Sequence, residues 1–575
     1  MEKGLKEFFF KYALQNAVRY NGKAEISSVI GKILQEKPEL KKEIKKIAKE
    51  IAEAVKEANN IPLIEQISEL KRIAPELLHE EKHEKQETTL PELPDTKGMQ
   101  GKITMRLAPF PSGALHIGNA KTYLLNAFYA EKYSAKLLLV MDDTIGSMEK
   151  QIMPEAYKLI EDAFQWLNVK YEKPVVYKSD RLEIYYKHAE KLIEKGKAYV
   201  CFCSAERLRK NREDAKECEC RQHTARKNME EWKNMLQGEY KGGQAVLRIK
   251  TSMQDKNPAF RDRVLFRISN REHPRTNRKY SVWPLLEFSW AIDDHLLGIT
   301  HIIRGKDLMI ESEMCKFVWN IFGWNAPVMV HAGLVRIEGL EGVKISKSKA
   351  QEEVRKGVFT GWDDPRTWSI QSLKRRGIKA ESIREFIKSI GLNESDIIVP
   401  VDILYAINRK KIETCNRHFF VAEPSKIKIS AAPDTHAEVP LHPDHPERGA
   451  RKFQTKQEFY VSKIDFEQMK NNKQVYRFMH LFNFLAENFS YHSTKMQPEL
   501  NAKLIHWLPA DKEHEKKLVK TEILMPDGST QKGLAEEGIK NLKEDDIIQF
   551  ERFGFCRLDS IDEKNRKAVF WFSHK

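Results

Sequence analysis

Through residues 1–60 apolar side chains return at helical spacing. Phe8, Tyr12, Ala13, Ala17 and Val18 share one face, and Ile44, Ile47, Ile51, Ala52 and Val55 share another, with lysines opposite. A period near 3.6 with a charged back predicts amphipathic helices packed on one another. A Lys/Glu run over residues 80–87, then Pro91 and Pro94, predict a linker. Beyond it the period changes. Residues 102–107 alternate apolar and polar as a strand does, and Pro109, Pro111 and Gly113 forbid its continuation. Ile117, Tyr123, Leu124, Ala127, Phe128 and Ala130 then return at helical spacing up to residue 133. Strand-like and helical runs alternate up to residue 199, and a second strand over residues 137–141 ends at Asp142, Asp143 and Thr144. This alternation predicts half of a Rossmann-type parallel sheet. Residues 283–304 supply the second half, with Arg304 closing the strand-like run 300–303. Residues 372–410 are helical in pattern and carry Arg375, Arg376, Arg384, Arg409 and Lys410, a basic connector suited to lie along a polyanion. From residue 416 onward, short apolar runs separated by turns such as Pro526-Asp527-Gly528 predict β-barrels.

A chain of 575 residues exceeds one core, so several domains are expected. No apolar run reaches the roughly eighteen residues of a membrane helix. The amino terminus carries acidic residues and no signal-peptide pattern, so a soluble, cytoplasmic protein is expected. Seven cysteines, an odd number, argue for thiols or metal ligands rather than a disulfide framework. The net charge of +15 favours polyanionic partners through counterion release.

Two stretches carry phosphate chemistry. Residues 106–119 read Arg-Leu-Ala-Pro-Phe-Pro-Ser-Gly-Ala-Leu-His-Ile-Gly-Asn, a strand end, a loop and a helix start. The first turn of a helix offers unpaired N–H groups and a positive dipole end, which favour phosphate. His116 sits there as a donor, and Gly118 leaves room for a flat base against the backbone. No G-x-x-x-x-G-K-[ST] run exists, which excludes a P-loop. Far downstream, Lys344-Ile345-Ser346-Lys347-Ser348 interleaves cations with hydroxyls on a loop that can close on a triphosphate. Separately, Cys201-x-Cys203 and Cys218-x-Cys220 are two close thiol pairs that could surround one Zn2+, with His223 able to replace one of them; reduced, unligated thiols are the alternative.

The two phosphate stretches, in this order and at this separation, resemble the HIGH and KMSKS signatures of class I aminoacyl-tRNA synthetases. Ser179-Asp180-Arg181, Val282-Trp283-Pro284, Ile292-Asp293-Asp294-His295, Gly361-Trp362-Asp363-Asp364-Pro365-Arg366 and residues 439–446 narrow the resemblance to archaeal-type glutamyl-tRNA synthetases. The resemblance implies a multidomain α/β protein. Its expected parts are a helical appendage with linker (1–97), two Rossmann catalytic halves (98–200 and 280–349), an acceptor-stem insert (201–279), a helical connector (350–415) and anticodon-binding β-barrels (416–575). It implies His116, Lys344 and Lys347 as catalytic, and Pro109, Ser112, His116, Gly118, Asn119, Lys344, Ser346 and Lys347 around ATP. Arg106, Asp142 and Arg304 are implied around L-glutamate, with Arg304 on the γ-carboxylate. A zinc-bearing insert occurs at the position of Cys201, Cys203, Cys218 and Cys220 in some members. Expected partners are ATP with Mg2+, L-glutamate and tRNA(Glu), with tRNA(Gln) as a possible second acceptor; a monomer is the family expectation.

The sequence also departs from that pattern. Val140 stands where a second arginine is usual, Ile145-Gly146 where Asp-Pro is, Leu286 where a pocket tyrosine is, Asn119 where the last histidine of HIGH is, and Phe110 where a small polar residue is. Val140, Ile145 and Leu286 surround the amino acid. A catalytically altered tRNA-binding paralogue is therefore the second reading, and a glutaminyl enzyme, which lacks an arginine at the Arg304 position, the third.

Overall fold

The computed structural model describes residues 2–19, 22–37, 39–40, 44–77, 90–147, 151–340, 347–472 and 474–575. Contacts divide the chain into two units, residues 1–89 and 90–575.

Among its described residues the first unit holds the α-helices Glu2–Arg19, Ile26–Glu36, Ile44–Asn59 and Leu63–Ile73. Phe9, Tyr12, Ala13, Ala17, Val29, Ile33, Ile51, Val55 and Leu70 form its core. Two side-chain amides fasten the turns, Gln66 buried and Asn59 exposed. Asn59 accepts from Ala24 N (2.6 Å) and donates to Ala24 O (3.0 Å), and Gln66 donates to Gly22 O (3.0 Å) and Ala58 O (2.9 Å). The Lys/Glu run over residues 80–87 lies outside the described residues. The predicted linker prolines are not free chain. Leu93 is buried and its N–H donates to Tyr133 Oη (2.9 Å), while Tyr129 donates to Pro91 O (3.0 Å), so this segment is docked on the second unit.

In the second unit, β1 (Thr104–Leu107), β2 (Lys136–Met141) and β3 (Glu172–Tyr177) run parallel. Next, β4 (Ala198–Cys201), β5 (Val246–Ile249), β6 (Val264–Ile268) and β7 (Val282–Pro284) form an antiparallel sheet, so strands flanking the expected insert pair with it. Then β8 (His301–Gly305) and β9 (Val328–Ala332) resume the parallel direction. Thr300 N donates to Thr104 O (2.9 Å) and Thr104 N to Thr300 Oγ1 (3.0 Å), which joins the two parallel halves between β1 and β8. A crevice at the carboxyl ends of two central strands is where such sheets take ligands. The helix Ile117–Tyr133 has the boundaries its apolar spacing predicts, and its buried Asn126 donates to Ile303 O (3.0 Å), pinning it to β8 as well.

The basic connector is used differently from the expectation. Arg375 pairs with Asp559 (2.8 Å) and Asp363 (2.6 Å), Arg384 forks onto Glu131 (2.8 and 3.0 Å), and Arg409 donates to Lys575 O. Arg376 is fully buried on Ser573 O (2.8 Å) and Tyr405 Oη (3.0 Å). Burial demands partners for a guanidinium, and these arginines have them inside the chain, while Lys410 is exposed.

The distal half holds a seven-stranded sheet and smaller sheets, each with its own core. The seven-stranded sheet is discontinuous in sequence: Arg417–His418 and Phe420–Ala422 belong to it, residues 424–509 build the smaller sheets, and the other five strands follow from Val519. Glu536 ties the halves together, accepting from His418 Nδ1 (2.7 Å), Phe419 N (2.8 Å) and Arg451 (2.9 Å), while Arg451 also reaches Glu551 (2.8 Å). Burial opposes the Glu536 charge, and Arg451 and His418 more than offset it, holding the carboxyl below its ordinary value. Glu536→Gln keeps the shape and removes the charge; a cost of about 2 kcal/mol is expected, read as a lower unfolding midpoint of the distal half. Among the described residues no helix is long and apolar enough to cross a membrane.

Candidate active site

The loop after β1 is fixed from both sides. Pro109 O accepts from Asp142 N (3.0 Å) and Pro111 O from Met153 N (3.0 Å), which seats the loop over the end of β2. Gly113 has φ +142°, and a Cβ there would lie 2.1 Å from the Trp362 ring, so glycine is required. Ile117 N donates to Trp368 O (3.2 Å) and Ile370 N to Leu115 O (2.8 Å), so the segment around Trp362 and Trp368 clamps the helix start.

His116 is the N-cap of the Ile117–Tyr133 helix, its Nδ1 accepting from Asn119 N (3.3 Å). An accepting Nδ1 puts the proton of a neutral imidazole on Nε2, the atom then able to donate to a phosphate. A Cβ at Gly118 would lie 3.1 Å from His116 Cε1 and Nδ1, so the missing side chain makes room for the imidazole itself. Asn119 Oδ1 is buried without a partner, and Ser112 is half-buried in the loop. Lys344 and Ser346 lie outside the described residues, and Lys347 is described only as the first residue of the helix Lys347–Arg355.

Of the three residues implied around glutamate, two are committed to partners within the chain. Arg106, buried on β1, forms a bidentate pair with Asp294. Burial works against its charge, and Asp294 more than compensates, raising its pKa. Asp142, at the end of β2, pairs with the buried Lys178 ammonium (2.9 Å), which also donates to Ser289 Oγ (2.9 Å). The neighbouring Asp143 is an anchor, accepting from Ser179 N (2.9 Å), Ser179 Oγ (2.7 Å) and Tyr157 Oη (3.0 Å); burial raises its pKa.

Arg304 differs. It is 4% exposed on β8, its Nη2 donates to Met329 Sδ (3.1 Å), and its Nε and Nη1 have no hydrogen-bond partner. Burial pulls its pKa below the usual guanidinium value, and no carboxylate pairs with it among the described residues. A buried, unpaired cation is costly, and an anion beside it would lower that cost. The sequence reading missed Trp290. It stands on the helix Leu286–Leu296 one turn after Leu286 and one turn before Asp294. The i, i+4, i+8 spacing that puts these three on one face was the available signal.

In the insert, the sulfurs of Cys201, Cys203, Cys218 and Cys220 all lie within 4.8 Å of one another, and His223 is not part of the cluster. The Cys201 and Cys218 sulfurs lie 3.8 Å apart, and the buried Arg248 guanidinium donates to Cys218 Sγ (3.7 Å); these neighbours hold the Cys218 thiol below its ordinary pKa. Arg207, Arg209, Lys210 and Arg226 are exposed, whereas Arg221 is taken by Asp262 and Glu217 (2.8 Å each).

Three family descriptions match the chain: tRNA synthetases class I (E and Q), catalytic domain, over residues 102–414, and two anti-codon binding domains of the same class over 415–505 and 504–559. Glutamate–tRNA ligases of Pyrococcus furiosus, Thermococcus kodakarensis and Methanocaldococcus jannaschii are 42%, 43% and 39% identical to it, each alignment covering 99% of this chain and 100% of the relative. A likeness that spans the nucleotide loop, the cleft between β1 and β8 and the distal sheets alike places this chain in the class I tRNA synthetase family of the E and Q type.

Proposed function

We propose that this protein is a glutamate–tRNA ligase. It activates L-glutamate with ATP and transfers the glutamyl group to the 3′ end of tRNA. One observation carries the choice of amino acid: Arg304, a buried guanidinium with unpartnered nitrogens at the carboxyl end of β8, next to β1 and the helix that starts at His116. The unpartnered N–H groups of Arg304 suit a carboxylate and disfavour an amide NH2, which they cannot satisfy. The likeness to glutamate–tRNA ligases over the full chain supports the same reading.

ATP, carrying Mg2+ on its phosphates, is the second substrate. A glutamate α-carboxylate oxygen attacks the α-phosphorus, the bond to the bridging oxygen breaks, and pyrophosphate leaves. The terminal ribose hydroxyl of tRNA then takes the acyl group and releases AMP. The carboxylate is already a nucleophile, so the chain's task is alignment and charge stabilisation. His116 donates through Nε2; Lys344 and Lys347, by resemblance, supply cations to the phosphates. The exposed Arg207, Arg209, Lys210 and Arg226 suit an acceptor-stem role for the insert, and the distal sheets an anticodon role.

The test is aminoacylation of tRNA with labelled glutamate and, separately, glutamine. Glutamate incorporation alone is expected. Glutamine incorporation would replace the substrate assignment, and incorporation of neither while tRNA still binds would favour the paralogue.

The four cysteines fit Zn2+: a four-sulfur set of this spacing is the tetrahedral donor chemistry that zinc prefers. When bound, the ion would cross-link two turns of the insert. About one zinc per chain is expected by metal analysis, lost in Cys218→Ser together with part of the insert's protease resistance. Metal-free protein of unchanged resistance would remove the assignment.

A further inference from the structure

Three cations surround one indole. The Arg106 guanidinium carbon lies 5.0 Å, the Lys178 ammonium 5.1 Å and the Arg304 guanidinium carbon 4.9 Å from a ring centroid of Trp290. Each is within cation–π reach. Two of the three are neutralised, Arg106 by Asp294 and Lys178 by Asp142. Arg304 is not, so the cluster carries one uncompensated positive charge. Trp290 is 5% exposed, and its Nε1–H has no hydrogen-bond partner. A buried orphan donor is unfavourable. Here three such donors, Trp290 Nε1, Arg304 Nε and Arg304 Nη1, occur on two side chains in contact. Asp294 is taken by Arg106, and Asp142 is ion-paired with Lys178 although its Oδ1 makes no hydrogen bond, so neither hydrogen-bonds Trp290 Nε1 or Arg304.

We propose that Trp290 is a substrate-binding residue, its indole N–H donating to the side-chain carboxylate of glutamate beside Arg304. A carboxylate brings one negative charge and two acceptor oxygens, which matches both the excess charge and the orphan donors. The aromatic face has a second use. It keeps Arg106, Lys178 and Arg304 apart and desolvated, so the charge of Arg304 stays available to the ligand rather than to water. Leu286, one turn earlier on the same helix face, offers no polar group of its own.

The inference rests on the ligase reading above, and its test separates the two. Steady-state aminoacylation in the presence of tRNA is measured against L-glutamate for the unaltered chain and for Trp290→Phe, which keeps the aromatic face and removes the N–H. The KM for glutamate is expected to rise about tenfold or more, with kcat changed less than about twofold and with the KM for ATP and the unfolding midpoint unmoved. Trp290→His, which restores an N–H on a ring, recovers part of the loss. An unchanged KM in Trp290→Phe overturns the proposal. So does a fall in KM for glutamate in Trp290→Ala, since the indole would then obstruct the pocket rather than serve it. Equal effects on ATP, on glutamate and on the unfolding midpoint assign a structural role and overturn it too. Failure of the unaltered chain to charge glutamate defeats the ligase reading itself, and this inference with it.

Discussion

Arg304→Met is expected to lower kcat/KM for glutamate by about a thousandfold, because an unpaired substrate carboxylate in this buried site costs about 3–5 kcal/mol. The same substitution is expected to raise the unfolding midpoint of the ligand-free protein. Arg304 is buried with Nε and Nη1 unpartnered, so methionine of similar length removes a standing penalty while filling most of the space. The two signs together identify a group kept for its ligand. Calorimetry without substrate and aminoacylation kinetics would read them. A parallel fall in activity and stability would instead make Arg304 a structural residue.

Gly113→Ala tests the nucleotide loop. A Cβ would lie 2.1 and 2.2 Å from Trp362 Cη2 and Cζ2, and φ is +142°. The ring is rigid and buried, so the loop must move, carrying Ser112 and the His116 cap with it. Displacing reacting groups by about 1 Å costs roughly a hundredfold in rate, and tRNA-dependent ATP–pyrophosphate exchange is expected to fall by at least that. The global unfolding midpoint should move little, since the contact is local. Adding Trp362→Leu to Gly113→Ala makes space and is expected to return part of the rate, a coupling that neither single change predicts. Normal exchange in Gly113→Ala would show that Trp362 yields and that the loop does not depend on it.

What the sequence revealed follows the range of the interactions involved. The helix beginning at Ile117 was legible because apolar spacing and a turn of prolines and glycine are local signals, and its observed limits agree with them. The position of Arg304 at a strand end was legible for the same reason. Partners were not. Arg106 meets Asp294 across 188 positions, and Lys178 meets Ser289 across 111, distances over which periodicity carries nothing. Composition misled in the connector, where Arg375, Arg376 and Arg384 look like a phosphate track and prove to be internal fasteners. Trp290 escaped notice because an aromatic within a helical apolar run reads as core; only its unsatisfied N–H among three cations marks it out.

The divided distal sheet bears on how the protein is made. Arg417–His418 pairs in parallel with Ile547–Phe550, and the sheet also needs Lys567–His574, which reaches back to receive Arg376. On the ribosome these early strands emerge long before their partners, at a rate of roughly 5–20 residues per second. The sheets of residues 424–509 sit between and are complete within that span. They can therefore close first, leaving Phe420–Ala422 without its partner strand until Thr530–Ala535 emerges. A nascent chain stalled before Lys567 would hold a folded inner module inside an unfinished host.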